Sequence, residues 1–348
     1  MQEENDVAIT IKDIAEELGV SFNTVSRALR DMPDIGQDTT RLVKETAARL
    51  GYRKNFAASY LKTTKSMMLG IIVPDICNPV FSYMYKGIEK KCSETNYSLL
   101  LGNSNGNPEE ESSILNNMLD HGVDGVFLIP NMKNTQSYTQ LENARIPYVV
   151  LQRKFADLST NLVQSNDYEG GYLAAEHLYQ LGHRRFLYIS AHLYISSALD
   201  RYNGFMAYLK EQNLDESVVQ ILECDSTRSG GYKAAKKWLE KQADLTDLSA
   251  TAIFCFSDYV AYGVFSAIAK FNLRIPEDIS VIGYDNNEYS DMTSPALTTV
   301  DILPYQIGKQ ASKIMFNLIQ NKETINDHIE AVISPKLIVR NSTKQIDV

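Results

Sequence analysis

The 348-residue sequence lacks several features that mark membrane and secreted proteins. It has no apolar run near the ~20 residues that a membrane-spanning helix requires. Its first residues, MQEENDVAIT, are acidic and polar, unlike a signal peptide. Cysteine is scarce: Cys77, Cys92, Cys224 and Cys255 lie far apart without a C-x-x-C pair, which favours reduced thiols over disulfides or a metal site. We therefore expect a cytoplasmic protein without a membrane partner.

The sequence also lacks the motifs of the commonest α/β enzymes. Neither G-x-G-x-x-G nor G-x-x-x-x-G-K-[ST] is present, so a nucleotide would find no phosphate-binding loop. Neither an H-x-x-x-H spacing nor a G-x-S-x-G elbow occurs. An acid/base pair of Asp258 and Asp285 is the enzymatic alternative, but such carboxylates bind ligand hydroxyls equally well. We expect a binding protein that is not an enzyme and needs no cofactor or metal.

The net charge of −9 argues against nucleic-acid binding only if the chain is treated as a whole. Residues 1–65 hold ten basic and ten acidic residues, so the remainder of the chain carries the negative charge. Within residues 21–65 there are nine basic residues and four acidic ones. A locally basic segment on an acidic chain is compatible with a DNA-binding domain.

Three short helices are predicted in the first fifty residues. Apolar residues recur at i, i+3, i+4 and i+7 over residues 11–18, after Thr10 as the N-cap. Gly19 ends this helix and Ser21 begins the next, while a third is expected from about Thr39 to Leu50. The outer face of the second helix carries four polar residues at helical spacing: Asn23, Ser26, Arg27 and Arg30.

Two short helices joined by a tight turn, with a cationic face on the second, are typical of a helix-turn-helix DNA-binding domain. The alternative is an ordinary three-helix domain whose charged face is simply solvated. The caps, the turn and the polar face agree with one another, so we favour the DNA-binding interpretation.

Beyond Met67 short apolar segments alternate with helix-length segments, which predicts parallel sheets covered by helices on both faces. The segments form two series of similar length, so we expect an α/β body of two lobes: about 67–162 with 292–322, and about 163–291 with 323–342. Ligands of such sheets bind beyond the carboxyl ends of the strands. The residues at those ends are Asp75, Asn103, Arg153, Asp225, Ser257, Asp258 and Asp285. The apolar segments are MLGIIVPDI, YSLLLGNS, VDGVFLIP and IPYVVLQR, then RFLYISA, VVQILECD, TAIFCFSD and ISVIGYD.

Six segments, in their order and spacing, resemble bacterial transcriptional regulators of the lactose-repressor type over nearly the whole chain. They are TIKDIAEELGVSFNTVSRAL (10–29), LGIIVPDICNPVF (69–81), HLYQLGHRRFLYIS (177–190), RYNGF (201–205), RIPEDISVIGYD (274–285) and PALTTVD (295–301). The resemblance implies a helix-turn-helix head (1–52), a hinge helix and linker (53–66), and a periplasmic-binding-protein-like body for effector binding and dimerisation (67–348). A secreted binding protein would share this body but would have no use for residues 10–50.

The resemblance implies a homodimeric repressor that binds near-palindromic operator DNA and whose DNA affinity is set by a sugar-like effector. Phe22, Asn23 and Arg27 would reach base edges, and Leu61 would be a wedge between base steps in the minor groove. The alternative for Leu61 is packing on the body. The implied DNA-binding set is Thr10, Ser21, Phe22, Asn23, Thr24, Ser26, Arg27, Arg30, Lys44, Asn55, Ala58 and Leu61.

The same resemblance implies an effector site. In it, Arg201 and Asp285 would bind adjacent ligand hydroxyls, and Phe81 would offer an apolar face to the ring. A purely structural ion pair of Arg201 with Asp200 or Asp285 is the alternative. The implied effector-binding set is Asp75, Phe81, Arg153, Ser197, Arg201, Ser257, Asp258 and Asp285.

Four positions depart from the family pattern. Gln152 stands where aspartate is common before Arg153, so an anionic sugar would meet less repulsion. Lys54 replaces the usual proline before the hinge. Gly36 and Thr40 replace a serine and an arginine that help to bind phosphate, so we expect weaker anchoring or anchoring by Lys44, Arg53 and Lys54.

Overall fold

A computed structural model of the chain describes residues 9–52, 65–133, 135–320 and 328–346. Contacts divide the chain into two compact units, one ending at Ser66 and the other beginning at Met67. None of the helices in these described ranges is long and apolar enough to cross a membrane. The hinge positions Asn55, Ala58 and Leu61, together with Arg53 and Lys54, lie outside the described residues.

The first unit contains three helices: α1 (Ile11–Leu18), α2 (Phe22–Ala28) and α3 (Gln37–Arg49). Gly19 ends α1 in the left-handed conformation at φ 63°, which glycine adopts without steric cost. The Ser21 hydroxyl accepts the backbone N–H of Thr24 at 3.0 Å and so caps α2. The helices enclose a small core with four fully buried side chains: Ile14, Val25, Ala28 and Val43.

Lobe 1 of the second unit is a six-stranded parallel sheet in the order β11-β5-β4-β3-β1-β2. Its strands are β1 (Met68–Val73), β2 (Ser98–Asn103), β3 (Val126–Leu128), β4 (Tyr148–Leu151), β5 (Leu162–Ser165) and β11 (Glu330–Ile333). Its helices are α4 (Pro79–Glu94), α5 (Pro108–Asp120), α6 (Gln136–Ala144) and α11 (Pro304–Gln320).

Lobe 2 is a six-stranded sheet in the order β12-β10-β9-β8-β6-β7. Among its strands the edge strand β12 runs antiparallel to β10, and the other pairs are parallel. The prediction of a wholly parallel sheet is therefore wrong for this lobe. Its strands are β6 (Phe186–Ser190), β7 (Val219–Glu223), β8 (Ala252–Cys255), β9 (Ser280–Tyr284), β10 (Thr298–Asp301) and β12 (Lys336–Ile338). Its helices are α7 (Asp167–Gln180), α8 (Ser196–Glu211), α9 (Arg228–Leu239) and α10 (Asp258–Lys270).

The points at which the chain passes between lobes differ from the predicted boundaries. Residues 163–165 belong to β5 of lobe 1, residues 298–301 form β10 of lobe 2, and residues 330–333 form β11 of lobe 1. The chain thus crosses after β5, between β10 and α11, and between β11 and β12. Membership of a sheet is decided by backbone pairing with a distant strand, such as β10 with β9, and local hydrophobicity does not encode that choice.

The close packing of α7 against α8 depends on two glycines. A Cβ at Gly171 would overlap the carbonyl oxygen of Arg201, and one at Gly204 would overlap that of Tyr168. Because neither residue has a Cβ, the two helix backbones approach closely. This contact brings Asp167, in the first turn of α7, to the side chain of Arg201 on α8.

Candidate functional site

A cavity of about 530 Å³ is lined by side chains of both lobes, beyond the carboxyl ends of strands in each sheet. This volume lies in the range of small-molecule sites. Six of the eight residues predicted for the effector site line it: Asp75, Phe81, Arg153, Ser197, Arg201 and Asp285.

Arg201 is the most extensively bonded group of the cavity. Its Nε donates to Asp167 at 2.8 Å, its Nη1 donates to the carbonyl oxygen of Phe256 at 2.5 Å, and its Nη2 lies 3.7 Å from Asp285. The guanidinium carbon lies 3.7 Å from the ring centroid of Tyr284, within cation–π range. Burial lowers its pKa, but Asp167, Tyr284 and Asp285 outweigh burial and raise it above the ordinary value. The guanidinium is therefore a permanent cation held in one orientation.

The ion-pair partners of Arg201 are only partly those predicted. Asp285 is confirmed as an ion-pair partner of Arg201. The second partner of Arg201 is Asp167, and not Asp200 as the sequence suggested. Asp167 is almost fully buried, and burial raises its pKa although Arg201 lowers it. The sequence carried no signal for this contact, because Asp167 resembles any acidic residue in the first turn of a helix.

Asp285 combines a strained backbone with a carboxylate that has few partners. It follows β9 directly and has φ 102°, a conformation that costs a non-glycine residue energy and is common at ligand sites. Burial first, and then the negative charges of Asp258, Asp167 and Asp301, raise its pKa well above the usual value, although Arg201 lowers it. Its carboxyl group lines the cavity and can accept a hydrogen bond there.

Arg153 and Gln152 form part of the lobe 1 wall, just after β4. The Nη1 of Arg153 donates to the carbonyl oxygen of Pro130 at 3.2 Å. Gln152 has φ 61°, and its Oε1 accepts the backbone N–H of Ser165 at 2.8 Å. The carboxylate of Glu111, whose charge acts on Arg153, accepts hydrogen bonds from the N–H of Asn131 and from the Ser137 hydroxyl, each at 2.6 Å.

Ser257 and Asp258 do not line the cavity, in contrast to the prediction. The Ser257 hydroxyl accepts the N–H of Val260 at 3.2 Å and so caps α10. The Asp258 carboxylate is fully buried in lobe 2 and accepts three hydrogen bonds: from the Asn287 N–H at 2.8 Å, the Ser290 hydroxyl at 2.5 Å and the Thr299 hydroxyl at 2.6 Å. Both side chains are used within lobe 2, because strand-end position does not determine side-chain direction.

Several cavity residues were not singled out from the sequence. His192 and Tyr194 follow β6 with their rings stacked, and His192 Nδ1 lies 3.0 Å from Glu223. Their position after an apolar strand is the signal that could have identified them. Others among the lining residues are Asn78, Asn131, Met132, Ile195 and Phe256.

The polar face of α2 is exposed, with Phe22 46% exposed and Asn23 also accessible. Arg27 pairs with Asp34 at 2.5 Å, and this ion pair raises the pKa of Arg27. Arg30 donates from Nε to the carbonyl oxygen of Ser26 at 2.9 Å.

The remaining predicted head residues stabilise local structure in the free protein. Thr10 donates its hydroxyl to Asp13 at 2.8 Å at the start of α1, and the Thr24 hydroxyl lies 2.9 Å from that of Ser21. Lys44 pairs with Asp31 at 2.5 Å. The two aspartates that pair with Arg27 and Lys44 both lie between α2 and α3.

Comparison with known proteins assigns both parts of the chain. Residues 10–55 match the bacterial regulatory proteins of the lacI family, and residues 175–343 match the periplasmic binding protein-like domain. The HTH-type transcriptional repressor PurR of Mannheimia succiniciproducens is 32% identical over 338 residues, which cover 97% of this chain and 99% of the relative. PurR of Histophilus somni (strain 2336) is 34% identical over 339 residues, with the same coverage of each chain. The chain belongs to the lacI family.

Solved structures of lacI-family regulators share this fold. A regulator from Enterococcus faecium with bound ribose is 27% identical, with a TM-score of 0.71 over 80% of this chain and 100% of that one. The lac repressor dimer bound to operator and the anti-inducer ONPF is 24% identical, with a TM-score of 0.83 over 97% of this chain and 100% of that one, and it supports the fold alone.

Membership of the lacI family confirms the predicted helix-turn-helix and two-lobed α/β architecture. The relatives are transcriptional repressors and not enzymes, as the sequence led us to expect. This lacI-family chain is a DNA-binding transcriptional regulator controlled by a small-molecule effector.

Proposed function

We propose that this chain acts in the cytoplasm as a homodimeric repressor of operator DNA, with the interlobe cavity as its effector site and a sugar or sugar derivative as its effector. The observation that carries the proposal is the cavity itself, where Arg153 of lobe 1 lies across from Arg201 and Asp285 of lobe 2. Two regulators with bound ribose, from Enterococcus faecium and Enterococcus faecalis, are 27% and 29% identical and support the sugar class.

Linkage provides the mechanism of control. A ligand that bonds to both walls of the cavity binds one arrangement of the lobes better than another, and the population shifts accordingly. Direct hydrogen bonds already join the lobes: the Tyr83 hydroxyl donates to Glu288 at 2.8 Å, and the Lys154 N–H donates to Ser196 at 3.0 Å. A change in lobe arrangement would alter these bonds together with the contacts to the effector.

The dimer follows from the DNA that the head would bind. Two heads related by a two-fold axis match a near-palindromic operator with half-sites about one helical turn apart. The arrangement that we propose is one such dimer on each operator. Within it, Asn55, Ala58 and Leu61 would form the minor-groove contact, a prediction that concerns residues outside the described ranges.

The exposed face of α2 would enter the major groove. Arg27 can bond bidentately to guanine, Asn23 can bond to adenine, and Phe22 offers an apolar surface to a thymine methyl group. Ser21, Thr24 and Ser26, with Thr10, Arg30 and Lys44, would contact phosphates, and the N-termini of α1 and α2 favour such anions.

Arg27→Ala is expected to weaken binding to the specific operator by about one to two orders of magnitude, with loss of discrimination at one base pair. The matched control is Lys44→Ala, which should weaken specific and scrambled duplexes alike because phosphate contacts carry no sequence information. Fluorescence anisotropy with both duplexes, over a salt series, measures the two effects. An equal loss on both duplexes for Arg27→Ala would remove Arg27 from base recognition.

Asp34→Asn is expected to raise affinity for DNA, because Asp34 competes for the Arg27 guanidinium and repels phosphate. In a plot of the logarithm of the DNA-binding constant against the logarithm of the salt concentration, the slope should be steeper for Asp34→Asn than for the wild type, because more cationic charge is available to contact phosphates. Glu17→Gln is the matched control: it breaks the Glu17–Arg49 ion pair, which joins α1 to α3, and removes the same charge. If both variants gain affinity equally, the Asp34–Arg27 ion pair does not restrain binding.

A further inference from the structure

The guanidinium of Arg153 is poorly compensated. Its five N–H donors make one hydrogen bond within the described residues, to the carbonyl oxygen of Pro130, and it forms no ion pair with a described carboxylate. The contrast with Arg201 is direct, because Arg201 has two carboxylates, a carbonyl oxygen and two aromatic rings around it. The two arginines of the cavity therefore differ in their capacity for a new partner.

The carboxylates whose charges act on Arg153, those of Glu111 and Asp167, have other partners. Both oxygens of Glu111 already accept hydrogen bonds from lobe 1, and Asp167 forms an ion pair with Arg201. Asp285 is likewise paired with Arg201. At the cavity rim, Asp75 accepts the N–H of Cys77 at 2.9 Å, and Asp225 is largely exposed near His192.

The residue beside Arg153 adds a donor and no charge. Gln152 uses its oxygen to accept the Ser165 N–H, so the NH₂ group is the end of the side chain without a partner among the described residues. Arg153 and Gln152 therefore both present N–H donors to the cavity that have no acceptor among the described residues.

Arg153 is half-buried at the cavity wall, and its partial desolvation has an electrostatic consequence. Burial, helped by the positive charge of Arg201, lowers the pKa of Arg153 to about 10, although Glu111 raises it. A partly desolvated cation gains more from an anionic partner than a fully solvated cation would, because part of the cost of its desolvation is already present in the unliganded protein.

We infer that the effector of this cavity is a hydroxylated ring that carries an anionic group, a carboxylate or a phosphate, and that Arg153 binds this group. The inference rests on the proposed function of the cavity as the effector site. Arg153 binds two anionic oxygens with its planar fork, while Asp285 and Ser197 bond to ring hydroxyls and Phe81 packs against the ring. A cavity of about 530 Å³ holds a monosaccharide with such a group.

The test measures binding of matched neutral and anionic sugars to the full-length protein by calorimetry in a phosphate-free buffer. The pairs are ribose with ribose 5-phosphate, glucose with glucuronate and glucose 6-phosphate, and galactose with galacturonate. In at least one pair the anionic member should bind the wild type at least about tenfold more tightly than its neutral parent. Arg153→Gln should abolish this preference, and Arg153→Lys should retain part of it, because lysine keeps the charge but not the fork.

A second readout separates ligand binding from a structural role. Because Arg153 is a cation without a carboxylate partner, Arg153→Gln should leave the melting temperature of the unliganded protein unchanged or raise it. A clear fall in melting temperature would make Arg153 a structural residue and overturn the inference. The inference would also be overturned if the neutral sugars bound as tightly as the anionic ones or more tightly, or if no anionic sugar in the panel bound. A preference for the anionic sugar that survives in Arg153→Gln would overturn it as well.

These outcomes are distinct from failure of the proposed function. A neutral sugar that binds and alters operator affinity overturns the anionic effector but leaves the regulator and its effector site intact. An operator affinity that is insensitive to Arg27→Ala contradicts the proposed head instead, whatever the cavity binds.

Discussion

Arg201→Ala is expected to lower the free energy of unfolding by about 3–5 kcal/mol and to abolish the response of operator affinity to effector. Truncation leaves the buried carboxylates of Asp167 and Asp285 without their cation, and it leaves the carbonyl oxygen of Phe256 without a donor. Breaking a buried ion pair from one side is costly because the remaining charges stay desolvated. Urea unfolding measures the loss of stability, and operator titration with and without effector measures the loss of response.

The pH dependence of this loss provides an internal check. The pKa values of Asp167 and Asp285 are already raised by burial, and Arg201 lowers both, so its removal raises them further. A carboxylate with a raised pKa in the folded state contributes stability below its unfolded pKa and loses it as pH rises through the folded value. The difference in free energy of unfolding between the wild type and Arg201→Ala should therefore be larger at about pH 8 than at about pH 5.

A compensated variant tests the same argument from the other side. Arg201→Met combined with Asp167→Asn and Asp285→Asn removes the cation and both carboxylates together, so it should be more stable than Arg201→Met alone. If the single and the triple variant unfold at the same urea concentration, uncompensated charge is not the cause of the loss.

Asp258→Ala is expected to cost at least about 3 kcal/mol of stability, because it leaves three buried donors without an acceptor. Two of these donors, on Asn287 and Ser290, belong to the segment that follows Asp285, so effector affinity should fall as well. Ser257→Ala is the matched control: it removes the adjacent cap of α10 and should cost only about 1 kcal/mol. Equal losses for the two variants would show that the three hydrogen bonds contribute little.

Asp258→Asn isolates the charge of this carboxylate. Burial raises the pKa of Asp258 to about 6, against the lowering effect of its hydrogen bonds. Since its ordinary value is 3.8, the wild type loses the contribution of Asp258 to stability as pH rises from about 4 through about 6. The asparagine variant lacks this titration, so its deficit relative to wild type should shrink over the same pH window. A deficit that is constant with pH would place the folded pKa near the ordinary one.

Local features of the sequence predicted local features of the structure. Each of the eight apolar segments forms a strand, and Gly19 and Ser21 end and begin helices as expected. The strands β5, β10, β11 and β12 were not predicted from the sequence, and three of them have exposed or half-buried positions. Segments without a continuous apolar pattern adopt strand geometry through pairing with a neighbouring strand.

The cavity was predicted in outline and not in its bonding. The rule that ligands bind at the carboxyl ends of parallel strands identified Arg153 and Asp285 as cavity residues, and the same rule wrongly included Asp258, whose side chain is used inside lobe 2. The predicted lobe boundaries were wrong for a related reason. The rule applies to one sheet at a time and does not say which distant strands of the chain join that sheet.

The sequence by itself determined what depends on neighbouring residues: helix caps, strand-length apolar segments, the exposed face of α2 and the motifs of the lacI family. The tertiary structure alone decided which charges meet. Asp167 reaches Arg201 from 34 positions away because Gly171 and Gly204 let two helices touch, and Thr299 reaches Asp258 from 41 positions away because β10 lies in lobe 2. The reason is physical: hydrophobic periodicity acts along a few turns of chain, whereas the energy of a buried charge depends on whichever groups folding brings within about 4 Å of it.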